Sequence, residues 1–196
     1  MRYALTDERR QKIERVLAMR QKDLTLVMDN IWDPHNVSAI LRSCDAFGVS
    51  EVQLYYTTHA FPDVGRKSSA SARKWVARHR HENRESLAAF IEARGFALLA
   101  TGFSERARPL ADWDLSRPTA VILSNEHAGI SEELLPLTAG EVYIPMRGMI
   151  PSLNVSVAAA IILYEAARQR AAKGLYDRPS FGPEELLRLT EDWSSR

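Results

Sequence analysis

Cysteine is nearly absent from this 196-residue chain, in which Cys44 is the single thiol. One cysteine excludes an intrachain disulfide and any zinc site built from several cysteines. Long hydrophobic runs are missing too, because the apolar stretch at 155–164 contains Ser156 and is far shorter than the ~20 residues that span a bilayer. The N-terminus carries charges where a secretory signal would be apolar. We therefore expect a cytoplasmic protein without a membrane segment.

The motifs that most often reveal a nucleotide or hydrolase site are also absent. The sequence contains no G-x-G-x-x-G fingerprint, no Walker A loop and no G-x-S-x-G nucleophile elbow. His79 and His81 stand two positions apart, but no carboxylate cluster or further histidine accompanies them. Proximity to phosphate, or plain exposure, explains this pair better than metal binding. We therefore expect no metal site, and a nucleotide-like ligand must bind by another route.

Charge is the first positive signal, although the formal net charge is only +1. Residues 1–22 carry a net charge of +4 and residues 65–84 carry +6, so the rest of the chain carries −9. Clustered lysine and arginine on an otherwise acidic body suit a polyanion, because these side chains displace counterions from phosphates. A solvated helix and a surface loop would explain the same charges without a ligand. Charge alone therefore leaves nucleic-acid binding and plain solvation open.

The spacing of hydrophobic residues predicts strands that alternate with helices. The predicted strands are 24–30, 51–56, 96–101, 119–124 and 141–144, and the predicted helices are 7–19, 36–47, 84–94 and 152–173, with short helices near Ser131 and in the tail. The segment 57–80 is polar, Ser-rich and basic, and is predicted to be a mobile surface loop. This alternation is typical of the α/β class, with a mostly parallel sheet covered by helices on both faces.

Three polar stretches occur where predicted strands end, at 33–36, 124–129 and 144–154. The carboxyl ends of parallel strands are where open α/β sheets bind ligands. Each stretch also has a purely structural explanation, since Asn36 and Ser152 suit helix N-caps and other residues suit turns or solvated helix faces. Their occurrence together, in order along the chain, favours a ligand site.

These stretches carry a resemblance to the tRNA guanosine-2′-O-methyltransferases of the SPOUT superfamily, the TrmH type. The matching segments are LTLVMDNIWDPHNVSAILRSCDAFGV, ARKWV, RPTAVILSNEHAGIS, IPMRGMIPSLNVSVAAAIILYEAARQR and GLYDRP. The resemblance implies a deep C-terminal trefoil knot from about Thr119 onward, an exception to the rule that chains rarely thread themselves. It also divides the chain into a basic N-terminal helical extension at 1–22, a methyltransferase core at 23–173 and a C-terminal extension at 174–196. Ser124 departs from the family, which usually has glycine there.

What the resemblance implies is an enzyme that transfers the methyl group of S-adenosylmethionine to a guanosine ribose 2′-hydroxyl in tRNA, at guanosine 18 of the D-loop. Family members work as homodimers, and no metal is implied. By motif, the implied catalytic positions are Asn36, Arg42, Glu126, Ser152 and Asn154. The implied cofactor positions, acting through the main chain, are Thr101, Ile144 and Leu153. The expected tRNA contacts are Arg9, Arg10, Arg66, Lys67, Arg73 and Lys74.

Arg42 is an unusual candidate for activating a hydroxyl, because a guanidinium stays protonated at working pH and a base should have a pKa near it. We hypothesise that Arg42 binds an RNA phosphate and polarises the hydroxyl. Two alternatives to the tRNA enzyme stay open: methylation of ribosomal RNA, and a non-catalytic RNA-binding protein of the same fold. The short segment before the core favours tRNA, and the presence of all five motif residues favours an enzyme.

Overall fold

The computed structural model of the protein describes residues 6–61, 72–125 and 128–196. The helices in these residues are α1 (Asp7–Ala18), α2 (Pro34–Ala46), α3 (Arg84–Ala93), α4 (Val155–Ala172) and α5 (Pro183–Ser194). The strands are β1 (Leu24–Asp29), β2 (Glu51–Tyr55), β3 (Ala77–His81), β4 (Ala97–Thr101), β5 (Ala107–Pro109), β6 (Thr119–Leu123) and β7 (Gly140–Tyr143). Short 3₁₀ helices lie at Ala72–Lys74, Leu110–Asp112 and Glu132–Leu137. None of these helices combines the length and hydrophobicity needed to cross a membrane.

The strands form one sheet in the order β3-β2-β1-β6-β4-β7-β5, and every neighbouring pair is parallel. β1 and β6 lie near its centre, and every residue of both strands is buried. One hydrophobic cluster packs α2 and α4 against one face of the sheet, and a second cluster packs α3 against the other. The predicted α/β class, with a parallel sheet and helices on both faces, is confirmed.

The second half of the chain enters the sheet between strands that are already connected. β7 lies between β4 and β5, which residues 102–106 join directly. The chain that leaves β7 therefore passes this connection, where Gly102 N donates to Val142 O at 3.1 Å and Ser104 N donates to the Glu141 carboxylate at 3.2 Å. Such insertion is the arrangement expected of the knotted half of the fold, and chains rarely adopt it.

The predicted surface loop at 57–80 is wrong at its end, because residues 77–81 form β3 and pair in register with β2. The first four residues of this edge strand are exposed and only His81 is buried. Edge strands often carry charged residues, which hide the usual hydrophobic alternation. The exposure expected of His81 is also wrong, since its ring nitrogens lie 2.9 Å from Ser86 Oγ and 2.9 Å from Gln53 Oε1. Residues 62–71 of the predicted loop lie outside the described residues.

The two terminal extensions pack on each other. Ile13 and Leu17 of α1 form a small hydrophobic cluster with Trp193 of α5. The Trp75 ring joins it, with its centroid 4.9 Å from that of Trp193. The two basic segments that the sequence separates by some forty residues therefore meet on one side of the molecule. The proposed boundaries of the extensions stay a prediction.

Candidate functional site

A cavity of about 650 Å³ opens at the carboxyl edge of β4, β6 and β7. Its walls come from the ends of these strands, from the segments that follow them and from the first turns of α4. The lining is mostly apolar, with side chains such as Leu123, Val142 and Ile144. A few polar residues, among them Ser124 and Asn125, line the same space. A cavity of this size and composition suits a nucleoside-sized ligand.

Thr101, Ile144 and Leu153, the three positions expected to hold the cofactor, all line this cavity. Thr101 ends β4, and its hydroxyl donates to Ile122 O at 2.9 Å, which fixes the side chain against β6. Ile144 follows the last residue of β7, and Leu153 precedes the first turn of α4. Both therefore lie where main-chain groups are not used by the ladder of a strand or a helix. The structure brings the three together, and their role in binding stays a prediction.

The first and third polar stretches meet through their asparagines. Asn154 Nδ2 donates to Asn36 Oδ1 at 3.1 Å, and this bond joins the beginning of α4 to the beginning of α2. The expected N-caps are wrong by a few residues. Asp33, rather than Asn36, caps α2 by accepting from His35 N at 2.8 Å, and Asn154, rather than Ser152, caps α4 by accepting from Ser156 N at 2.8 Å. The asparagine pair thus has a structural role as well as a place beside the cavity.

The five catalytic candidates are not all brought together. Ser152 and Asn154 line the cavity, whereas Asn36 is not among the described residues that line the cavity and bonds to Asn154. Arg42 is exposed on α2 and is not among the residues that line the cavity in the described part of this chain. Glu126 lies outside the described residues. Within one chain, the structure therefore shows the third polar stretch at the cavity and Arg42 apart from it.

The expected tRNA contacts fall on the side of the molecule where the two extensions pack. Arg9 and Arg10 are exposed on α1, Lys74 is exposed and Arg73 is half-buried in the 3₁₀ helix before β3. Arg66 and Lys67 lie outside the described residues.

Two further arginines, Arg78 and Arg80, extend this cationic surface along β3, and sequence reasoning did not single them out. A cleft of about 300 Å³ is lined by Arg73, Lys74 and Arg78. Burial, followed by repulsion from Arg73 and Arg80, lowers the pKa of Arg78. Alternating arginines in an edge strand were the available signal. We call Arg73, Lys74, Arg78 and Arg80 the basic face.

Among the described residues, no group of three or more histidine, cysteine, aspartate or glutamate side chains is arranged to hold a metal ion. His79 instead lies 3.0 Å from a Glu51 carboxylate oxygen, and Arg94 donates to the other oxygen of the same carboxylate at 2.7 Å. Burial and the neighbouring His79 lower the pKa of His81. These histidines therefore take part in the packing of β3 against β2 and α3.

The chain has clear relatives. It matches the SpoU rRNA Methylase family over residues 23–164. A tRNA (guanosine(18)-2'-O)-methyltransferase of Thermus thermophilus is 47% identical to it over 188 residues, which cover 96% of this chain and 96% of the relative. The crystal structure of the Aquifex aeolicus TrmH/SpoU tRNA modifying enzyme superposes with a TM-score of 0.89 at 37% identity and covers 96% of both chains. That of the SpoU methyltransferase AviRb from Streptomyces viridochromogenes, in complex with AdoMet, has a TM-score of 0.70 at 29% identity and covers 86% of this chain and 66% of AviRb.

Proposed function

This chain belongs to the SpoU methylase family, and on that premise we propose that it methylates tRNA on the 2′-hydroxyl of a guanosine ribose, at guanosine 18, with S-adenosylmethionine as methyl donor. The observation that carries the proposal is the cavity, which gathers Thr101, Ile144, Leu153, Ser152 and Asn154 at one edge of the sheet. The name of the Thermus relative, which is alike over nearly the full length of both chains, supports the choice of substrate and nucleotide.

The residues at the cavity fit S-adenosylmethionine. Apolar side chains such as Leu123 and Val142 offer a surface for an adenine ring, and polar groups at the strand ends offer partners for a ribose and an amino acid group. The carboxylate of Glu141 also lines the cavity and complements a cationic ligand. When bound, S-adenosylmethionine supplies an electrophilic methyl group on a sulfonium. The support for this cofactor is the chemistry of the lining and the AdoMet complex of AviRb.

The task of this chain's residues is then alignment, because an in-line displacement needs the ribose oxygen about 3 Å from the methyl carbon. The bond between Asn36 and Asn154 holds α2 beside the cavity-lining start of α4. Arg42 is exposed and therefore accessible to RNA. In the proposal, its guanidinium binds an RNA phosphate and polarises the hydroxyl, so that this phosphate shares the proton. Glu126, in the proposal, accepts a hydrogen bond from the cofactor, the RNA or a neighbouring side chain.

A homodimer completes this proposal, because Arg42 lies apart from the cavity of its own chain. Several large apolar side chains are exposed near α4 and the two segments that lead into α2 and α4. They are Trp32 at 62%, Met149 at 100%, Ile150 at 59%, Val157 at 46% and Tyr164 at 62% exposed. Grouped exposed apolar side chains mark interaction surfaces. A second copy of the chain that covers this surface would bring Arg42 of the partner subunit toward the cavity.

The experiment that tests the proposed function combines the purified protein, S-adenosylmethionine and a tRNA transcript, and maps ribose methylation along the RNA. We expect one modified position, guanosine 18, and no product from a transcript in which that guanosine is replaced. Ribosomal RNA is the second candidate substrate, which the description of the matched family favours. Methylation of ribosomal RNA fragments but not of tRNA would move the assignment to that candidate.

Calorimetry with S-adenosylmethionine separates both enzymes from a non-catalytic RNA-binding protein. Saturable binding at one site per chain is expected, since each chain carries one such cavity in the described residues. An absence of binding would favour the non-catalytic alternative.

A chain that is monomeric and fully active in solution would overturn the proposed homodimer. The cytoplasmic location stays a prediction.

A further inference from the structure

Asp29, the last residue of β1, is a buried carboxylate that the proposed mechanism does not use. It is 0% exposed and accepts hydrogen bonds from Ser131 N at 2.6 Å, Ser131 Oγ at 2.7 Å and Asn30 Nδ2 at 2.9 Å. Burial raises the pKa of this carboxyl, whereas the bonds from Ser131 and Asn30 act in the opposite direction. Removing one of these hydrogen bonds costs free energy, because the buried group left without its partner cannot bond to water instead. Asp29 is therefore a fixed point to which Ser131 is attached.

A second attachment lies a few residues earlier in the same segment. Asn125 Nδ2 donates to the main-chain oxygen of Asn30, and Asn125 Oδ1 accepts from Ala128 N at 2.9 Å. The main chains of Asn125 and Gly129 exchange two hydrogen bonds of 3.1 Å. Asn125, Gly129 and Ile130 line the cavity. This segment is thus tied to Asn30 at Asn125 and to Asp29 at Ser131, and three of its described residues form one wall of the cavity.

Asn30 also reaches the chain on its other side. Its Oδ1 accepts from Thr57 N and from Thr58 N, both at 3.1 Å. Thr57 begins a described stretch that ends at Phe61, and the Phe61 ring centroid lies 4.3 Å from Cζ of Arg80 in the basic face. Asn30 has a φ of 48°, in the left-handed region that asparagine tolerates better than most residues. One buried residue thereby holds both parts: its main-chain oxygen accepts from Asn125 in the cavity wall, and its side-chain oxygen accepts from Thr57 and Thr58.

We propose that Asp29 and Asn30 are positioning residues for the methyl transfer: Asp29 fixes the cavity wall at Asn125 and 128–131, and Asn30 couples that wall to the stretch at 57–61, which contacts the basic face. Neither residue lines the cavity, so both act through the residues they hold. This inference rests on the proposed function, and it adds to it a physical link between cofactor and RNA. Loosening the wall lowers cofactor affinity, because only the fraction of molecules with the wall in place can bind.

The test compares Asp29→Asn with a matched control, Glu133→Gln. Glu133 accepts from the Tyr55 hydroxyl, and its negative charge helps to raise the pKa of Asp29. The control therefore removes a neighbouring charge while it keeps all three hydrogen bonds to Asp29. We expect Asp29→Asn to weaken S-adenosylmethionine binding about tenfold, the effect of losing hydrogen bonds to a charged acceptor. We expect Glu133→Gln to change it less than twofold. Hydrogen exchange of the cofactor-free protein should become faster in peptides covering 124–131 in Asp29→Asn and stay unchanged there in the control.

Asn30→Gly tests the coupling, because glycine accepts the same φ and keeps the carbonyl that Asn125 uses while losing the bonds to Thr57 and Thr58. The variant also loses the bond from Asn30 Nδ2 to Asp29, so its cofactor affinity should fall about threefold. Its KM for tRNA should rise several-fold more than its dissociation constant for the cofactor. If Asp29→Asn does not fold, Ser131→Ala replaces it as the test variant, because it removes one of the three donors to Asp29. The expected loss of cofactor affinity in Ser131→Ala is about threefold.

Unchanged exchange and unchanged cofactor affinity in Asp29→Asn, or in Ser131→Ala in its place, would overturn the proposal for Asp29. Equal changes of KM and cofactor affinity in Asn30→Gly would overturn the coupling. The exchange readout uses the free protein and is valid even if the wild-type chain failed to methylate tRNA, a result that would count against the proposed function alone.

Discussion

The cavity edge and the basic face differ in how they are built. The cavity wall is held by buried groups, in which Asp29, Asn30 and Asn125 each have defined partners at hydrogen-bond distance. The basic face presents mostly exposed cations, such as Lys74, Arg78 and Arg80, from an edge strand and the short helix before it. The first arrangement can align a reacting atom, which requires fixed geometry. The second can attract a polyanion, which requires only charge density and tolerates variation.

This difference predicts how each region responds to mutation. In the buried region a single substitution leaves polar groups without partners, so effects should be large and local. On the basic face each cation contributes one phosphate contact among several, so effects should be modest, additive and dependent on salt. Arg42 is the residue most able to contradict this division, because it is exposed and yet has a proposed catalytic role.

Replacing Arg170 should give the largest loss of stability. This α4 arginine is 0% exposed, and it donates to Leu115 O at 3.0 Å, to Arg117 O at 3.0 Å and to the carboxylate of Asp23. It thereby attaches the end of the knotted segment to the beginning of β1. Arg170→Ala leaves these acceptors unpaired and should lower the free energy of unfolding by about 3 kcal/mol. Urea titration followed by circular dichroism measures this. Arg168→Ala removes an exposed arginine that is paired with Glu165, and it should lower the midpoint far less than Arg170→Ala does.

Arg42→Ala should lower the single-turnover rate of methylation by about 100-fold or more, the range expected when a group that stabilises the transition state is lost. Its dissociation constant for S-adenosylmethionine should not change, because the proposed partner of Arg42 is an RNA phosphate rather than the cofactor. Arg42→Lys keeps the charge but not the bidentate geometry and should retain only a small part of the rate. Nearly full activity of Arg42→Lys with unchanged RNA affinity would show that bidentate binding is not its role.

Sequence patterns predicted the cavity edge better than they predicted what holds it. Hydrophobic spacing located β1, β6 and α4, because buried elements need apolar residues at fixed intervals. The resemblance supplied the order of the motifs, and the structure gathers Thr101, Ile144 and Leu153. The attachment of Ser131 to Asp29 joins residues about a hundred positions apart, and no local pattern reports such a pairing.

The basic face shows the opposite balance, because its charge was evident and its structure was not. The net charge of +6 over residues 65–84 pointed to an anionic partner. The strand β3 was missed, since Arg78, His79 and Arg80 lack the apolar alternation by which strands are recognised. Its pairing with β2 is a property of the assembled sheet. Charge can therefore be predicted from the sequence, whereas an edge strand rich in cations can be identified only from its pairing with the neighbouring strand.

Removing two cations from the basic face should weaken tRNA binding about tenfold at low salt, through the loss of two phosphate contacts. The variant is Lys74→Ala combined with Arg78→Ala. The slope of log affinity against log salt should fall by about 1.5 to 2, and cofactor affinity should be unchanged. Filter binding across a salt series measures both quantities. Arg94→Ala is the control, because the Arg94 guanidinium is already bonded to the Glu51 carboxylate. An equal change of slope in Arg94→Ala would show that the basic face contributes no more to tRNA binding than an arginine paired within the protein.

The smallest expected effect belongs to His81, on the inner side of the same strand. Its two ring nitrogens, each bonded at 2.9 Å to Ser86 or Gln53, fit a neutral imidazole that donates at one nitrogen and accepts at the other. Burial and His79 lower its pKa, so the unfolded chain binds a proton more readily than the folded protein. The stability contributed by the neutral ring is therefore present above the ordinary histidine pKa and is lost as the pH falls through that value toward the lower pKa of the folded state.

Urea midpoints measured from about pH 7.5 down to about pH 5 should thus decline in the wild-type chain, with His81 contributing no more than about 1 kcal/mol to the decline. His81→Gln keeps one donor and one acceptor without a titrating ring, so its decline should be shallower, whereas the exposed His35→Gln should follow the wild type. Parallel profiles for His81→Gln and the wild type would mean that the inner side of β3 tolerates a charge as readily as its outer side. The contrast between buried, partnered groups and exposed cations would then fail within a single strand.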